Sequence, residues 1–225
     1  MSTASPQEPF SLPPQADAEA ARLGQAILQN ATREVGHGEV RYDNHGPDVA
    51  RYTSVVASKT YGHAWCAAFA SYILAQTAPK LVRPSPLAKG LMAQFQAHGA
   101  FYSTTTVYTP QPGDLIFMDR GEGWKGHVGF IKQIDPDGTL HTIEGNKADP
   151  RYKGKNEGVD YVWSRDIPDQ VREVIYPPND PERARILGYG SIASMAAAKH
   201  LALDVPPPPP ALGTTPLQRM PYLGH

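Results

Sequence analysis

The chain has a single cysteine, Cys66, in 225 residues. An intrachain disulfide is therefore impossible, and a multi-cysteine zinc or iron–sulfur site is excluded. Neither an H-E-x-x-H pair nor a C-x-x-C pair occurs, so a zinc hydrolase is disfavoured and no metal site is expected. No glycine-rich strand–helix fingerprint for phosphate is present, and no cofactor is expected. Apolar runs fall short of the roughly 18 residues that a membrane span needs. The formal net charge is −1, so no global field draws the chain to nucleic acid or to an anionic membrane. Met1 to Gln15 have neither a basic stretch nor an apolar stretch and do not read as a Sec signal. The expectation is synthesis in the cytoplasm, with a carrier other than Sec for any action outside it.

What is there reads as one domain between two tails. Residues 1–15, rich in Pro, Ser and Gln, read as a flexible lead-in. From about Asp17, Leu23, Ile27, Leu28, Ala31 and Val35 recur at helical spacing until Gly36 and Gly38 stop the helix. Tyr42 to Gly46 is a polar loop. Pro47 suits a first helical turn, followed by Val49, Tyr52 and Val56 on one face. Ala64 to Gln76 is the most apolar stretch and predicts a buried helix with Cys66 in its first turn. Leu87, Leu91, Met92 and Phe95 predict a further helix closed by Gly99. The period then changes to that of strands. Strands are predicted within 110–119, 127–134, 139–146, 159–163 and 171–177, with a tight turn at Asp135 to Gly138. Helices first and an antiparallel sheet afterwards predict an α+β domain over 16–178. A helical extension is expected over 179–204, with an Ala-rich helix in 181–203. The tail, 205–225, holds five consecutive prolines at 206–210 and reads as polyproline II or solvated chain.

The chemistry centres on Cys66. A lone cysteine among Ala and Phe is usually a small buried hydrophobe. At a helix start, however, free N–H groups and the positive dipole end favour a thiolate. The hairpin supplies partners. With Asp135 and Gly138 flanking a two-residue turn, paired residue numbers sum to 273, placing His127 opposite Asn146 and Gly129 opposite Glu144. Alternation then puts His127, Gly129, Glu144 and Asn146 on one face and Val128, Phe130 and Ile143 on the other. A slip of one residue would scatter this set. An imidazole can take the thiol's proton, a carboxylate behind it fixes the tautomer, and the backbone N–H of Cys66 can serve an oxyanion. Glu144 is the natural orienter of the imidazole and Asn146 a helper. Trp65, beside the thiol, and Tyr42 and Asn44, in the loop ahead of the helix, are candidate substrate contacts. His63 reads as a loop residue.

Four segments together resemble the CHAP family of cysteine, histidine-dependent amidohydrolases/peptidases, relatives of NlpC/P60 and papain-like enzymes. They are Trp65-Cys66-Ala67-Ala68-Phe69, Pro112-Gly113-Asp114-Leu115, Gly126-His127-Val128-Gly129 and Ile143-Glu144-Gly145-Asn146. The resemblance covers about residues 20–175. It implies a papain-like fold, a Cys66-His127-Glu144-Asn146 site and cleavage of peptidoglycan, without fixing the scissile bond as an amidase's or an endopeptidase's. It fits a phage endolysin or an antibacterial effector toxin acting in the periplasm or cell wall after non-Sec export. Such a protein would have a holin, or secretion machinery and an immunity protein, as partners. Two other readings stay open: a catalytically silent module that binds cell wall or builds a phage particle, and a cytosolic amidase acting on a small peptide or polyamine conjugate.

Overall fold

The computed structural model describes residues 14–41, 43–56, 62–121, 123–148 and 168–201. The expectations for the N-terminal lead-in through residue 13, for Tyr42, for a strand at 159–163 and for the proline-rich tail lie outside those residues.

Four helices come first: α1 (Pro14–Arg33), α2 (Pro47–Thr53), α3 (Cys66–Thr77) and α4 (Ala88–Ala97). The strands follow: β1 (Phe101–Ser103), β2 (Leu115–Asp119), β3 (Gly126–Ile134), β4 (Leu140–Lys147), β5 (Gln170–Tyr176) and β6 (Ile186–Gly190). A last helix, α5 (Ile192–Ala198), closes the described chain. The strands form one antiparallel sheet in the order β1-β6-β2-β3-β4-β5. The molecule is therefore α+β, with helices packed on an antiparallel sheet.

Alternation along the strands sorts the apolar residues into two layers. Leu115, Phe117, Val128, Phe130, Ile143 and Val171 join the helices in the main core, against Ile27, Phe69, Ile73 and Phe95. Ile116, Met118, Ile131, Leu140, Tyr176 and Ile186 form a smaller cluster on the opposite face. Helix α3 is buried over Cys66–Leu74 except at Tyr72, as its near-continuous apolar sequence requires.

The structure revises three expectations. Residues 179–204 are not a helical appendage. Within them, the described residues 179–201 hold a 3-10 turn (Pro181–Arg185), strand β6 between β1 and β2, and the seven-residue α5. Ile186, Gly188 and Gly190 are buried, and an added Cβ on Gly190 would lie 2.9 Å from the Phe95 ring. Close packing on an aromatic core, rather than alanine content, decides that segment's state. The domain thus runs on to at least Leu201, which packs on the main core.

Strand β1 was not foreseen in the sequence, and three residues are too few for a period to show.

The β3–β4 turn is one residue longer than expected, since Asp135 N–H bonds to the Thr139 carbonyl. Ile134 accordingly pairs with Leu140 and Gln133 with His141, at a sum of 274. An irregularity between Ile131 and Gln133 restores the sum of 273 for Ile131↔Thr142, Phe130↔Ile143 and Gly129↔Glu144. The bulge cancels the longer turn, and the functional end of the hairpin has the expected register.

Candidate active site

Trp65 is the N-cap of α3 and supplies no side-chain acceptor to the first turn. The helix start is held from across the fold instead. The Trp65 backbone N–H donates to Asn146 Oδ1 at 2.6 Å, and its indole N–H donates to Glu39 Oε1 at 2.9 Å. Its ring stacks on Tyr52, which also meets Phe69 edge-on. With no side-chain cap, the first turn of α3 presents N–H groups at Cys66.

The Cys66 thiol lies in hydrogen-bonding and electrostatic contact with His127, and receives backbone N–H groups of Val128 and Ala67. Burial pushes the thiol up, but the imidazolium and these donors outweigh it and hold the group below its ordinary value. His127, the second residue of β3, uses Nε2 to bond Glu144 Oε2 at 2.8 Å. That leaves Nδ1 for the sulfur. Burial pulls the imidazolium down, yet the Cys66 thiolate and the Glu144 carboxylate together push it up to about 9. Opposite shifts in two touching groups are the signature of a thiolate–imidazolium pair.

Glu144 is 0 % exposed. Such burial is tolerable for a carboxylate only with full pairing. Oε2 accepts from His127 and from Lys147 Nζ, the latter at 2.8 Å. Oε1 accepts from Thr142 Oγ1 at 2.6 Å and from Tyr176 OH at 2.7 Å. Burial alone would raise this acid. The bonds and charges of His127 and Lys147 overcome that and hold it far below the usual carboxylate range. Gly129 makes the arrangement possible, because a Cβ there would come within 2.6 Å of Glu144 Cγ.

The structure thus brings together Cys66, His127 and Glu144 as expected, and revises the rest of the set. Asn146 does not sit opposite His127 as a strand partner. It has a positive φ of 56°, at a break in the β4–β5 register. Its oxygen takes the Trp65 N–H and its Nδ2 donates to Asp169 Oδ2 at 2.7 Å. Its side chain therefore clamps the residue before Cys66. Trp65, expected to touch substrate, is 0 % exposed and its side chain is a core element. Asn44 is half-buried with φ 59°, and its carbonyl accepts from Gly62 N–H, bordering the approach to α3. His63 is exposed in the loop, as expected.

Sequence reasoning missed Lys147, Thr142, Tyr176, Glu39 and Asp169. Thr142 was within reach, since it shares a strand face with Glu144 at a spacing of two. Tyr176 and Asp169 come from the far end of the chain and needed the β4–β5 pairing. Lys147 needed the break at Asn146, which turns it back toward the carboxylate.

An α+β protein with a helix-borne thiol facing a strand-borne imidazole and a buried carboxylate is the class that fold and site define. The family model for the CHAP domain matches residues 58–146. That match spans all three side chains. No curated protein matches the sequence. Among solved structures, the chain is similar to the crystal structure of Ly7917, at 19 % identity over 75 % of this chain and 61 % of that one, with a TM-score of 0.41. It is also similar to the crystal structure of Ly7917 with the hydrolyzing product of MDP, at 18 % identity over 74 % of this chain and 61 % of that one, with the same TM-score of 0.41. The chain spans about three fifths of the length of these solved chains.

Proposed function

We propose that the protein hydrolyses amide bonds of peptidoglycan, with Cys66 as nucleophile, His127 as base and acid, and Glu144 as the group that orients the imidazole. The observation that carries this reading is the Cys66 thiol, held as the partner of an imidazole whose Nε2 is committed to a fully buried carboxylate. The match to the CHAP family model supports the substrate class.

In the first half-reaction the thiolate adds to the amide carbonyl carbon. The oxyanion is met by first-turn N–H groups of α3, and the His127 imidazolium gives its proton to the departing amine. The acyl group remains on sulfur as a thioester. In the second half, His127 takes a proton from water, the hydroxide adds to the thioester, and collapse releases the carboxylic acid and the thiolate. Glu144 stays ionised throughout and neutralises the imidazolium whenever it forms. The finer reading, amidase or endopeptidase, deployed as an antibacterial effector or a phage endolysin, belongs to the same proposal. Holin, or secretion machinery and an immunity protein, would be its partners.

The test is mass spectrometry of purified sacculi after digestion, with wild type and Cys66→Ala. New muropeptides from the wild type, lost by several orders of magnitude in the variant, are expected. Their masses give the scissile bond. In a second arm, the wild type behind an added Sec signal should lyse a Gram-negative cell and Cys66→Ala should not. Intact sacculi after digestion with folded wild type would overturn the substrate class. Retention of more than about a tenth of the turnover by Cys66→Ala would overturn the nucleophile.

A further inference from the structure

Lys147 stands beside the proposed dyad and has no part in the mechanism above. It is 8 % exposed, which is rare for a lysine without a partner of opposite charge. Its Nζ donates to Glu144 Oε2 at 2.8 Å and to Tyr176 OH at 2.6 Å. The same Oε2 receives His127 Nε2, also at 2.8 Å. One carboxylate oxygen therefore serves two cations. Tyr176 closes the ring by donating to the other oxygen, at 2.7 Å.

We propose that Lys147 is a positioning residue of the catalytic apparatus, whose ammonium shares Glu144 with His127 and so sets how readily the Cys66–His127 ion pair forms. The inference rests on the reading of Cys66, His127 and Glu144 given above.

Charge balance governs a buried set of ionisable groups. With the pair formed, Cys66 and Glu144 are anions and His127 and Lys147 are cations, and these four charges balance. Without the ammonium the set carries a net negative charge. Both the thiolate and the carboxylate then pull harder on the proton that they share through the imidazole. The pair holds its protons to higher pH, and the thiolate appears later. The other ionisable groups facing this set do not supply the missing charge. Asp169, beyond Asn146, is an acid, and its electrostatic influence reaches both His127 and Lys147. Tyr176 is buried, and burial and Glu144 push its hydroxyl well above the usual range, so it stays neutral. Arg172, on β5, directs Nε to the Lys147 carbonyl at 3.1 Å, and its charge acts on Asp169. Arg120 pairs with Glu182, behind Tyr176.

Cys66 is the sole thiol in the chain, so its ionisation can be read without any substrate. The experiment is the rate of alkylation by iodoacetamide across pH, for wild type, Lys147→Met, Lys147→Gln and Lys132→Met. Lys132 pairs with Glu173 at the surface and controls for the loss of one positive charge elsewhere. The wild-type midpoint should lie below that of a free thiol, about 8.5. Lys147→Met should move it up by about one unit, which is about tenfold slower alkylation at any pH below both midpoints. Lys147→Gln, which keeps a hydrogen bond without the charge, should move it the same way and decides the matter if the Met variant fails to fold. Lys132→Met should leave it in place. An unshifted or lowered midpoint in a folded Lys147 variant overturns the role of Lys147 and leaves the dyad standing. A wild-type midpoint at the free-thiol value overturns the dyad and this inference together.

Discussion

Glu144, on β4, and Asp114, just ahead of β2, are both buried carboxylates, and their surroundings drive them in opposite directions. Glu144 bonds two cations and two hydroxyls, and its acidity is strengthened. Among the described residues, Asp114, 2 % exposed, accepts from neutral donors: Tyr108 OH at 2.5 Å, Gln111 N–H at 2.8 Å and Ile192 N–H at 2.9 Å. Burial pushes it up to about 6, with the three donors pulling only partly back. Neutral hydrogen bonds can seat a buried carboxylate, but only opposite charge keeps it ionised against the loss of water. The two acids accordingly do different work. Asp114 ties the start of β2 to the start of α5, at the end of β2 away from His127. Glu144 keeps its charge beside the His127 imidazole.

The largest test of this contrast exchanges each acid for its amide. Glu144→Gln can still accept from the imidazole but cannot neutralise an imidazolium, and should lower kcat/KM by about a hundredfold. Asp114→Asn should leave kcat/KM within about twofold while destabilising the fold by about 1–3 kcal/mol, because an amide nitrogen must then face an N–H that had an acceptor. Steady-state turnover and urea midpoints read the two effects. A rate loss in Asp114→Asn as large as in Glu144→Gln would erase the distinction.

The second test uses pH. Asp114 has its folded value raised above the unfolded one, so the native state binds the extra proton between about pH 4 and about pH 6. Its contribution to stability is full below that window and is lost as pH rises through it. Glu144 is depressed in the fold, so its contribution is full above the ordinary carboxylate range and is lost only in acid. Wild-type stability relative to Asp114→Asn should therefore be greater at about pH 4.5 than at about pH 7. A difference that is flat or grows with pH would contradict the neutral-donor account.

The smallest effect is expected at Asn146. Asn146→Ala frees the Trp65 N–H and leaves Asp169 without its amide donor, while Cys66, His127 and Glu144 keep their mutual contacts. A rate loss of about tenfold, with an unchanged alkylation profile of Cys66, is the expected outcome. A shifted profile would instead place Asn146 with the imidazole, as the hairpin register alone suggested.

Much of this site was legible because its central relations are local or periodic. Cys66 begins a helix where an apolar run follows a polar loop. His127, Gly129 and Glu144 share a face because side chains alternate in strands and the turn between them is short. The register came out right at that end although the turn was one residue longer than expected, since the bulge after Ile131 absorbed the difference. Asn146 fell outside this reasoning because alternation assumes an unbroken strand, and its positive φ ends the pattern one residue short of Lys147. Trp65 was misjudged for another reason. Proximity to the thiol in sequence says nothing about which way an indole points, and Tyr52 and Glu39 draw it inward.

What the sequence determined by itself is the set of elements and the chemistry at their ends: helices ahead of strands, one thiol at a helix start, and an imidazole and a carboxylate in phase on one hairpin. Those follow from backbone periods and turn chemistry, which act over a few residues. Tertiary structure alone decided which charges share the buried space. Lys147, Thr142 and Tyr176 converge on Glu144 from two strands, and Asp169 and Glu39 hold Asn146 and Trp65 from segments far apart in the chain. Strand β6 enters the sheet between β1 and β2 from the end of the described chain for the same reason. Burial makes such meetings consequential: once water is excluded, every charge must find its counterpart within hydrogen-bond reach, and only the complete fold determines which one that is.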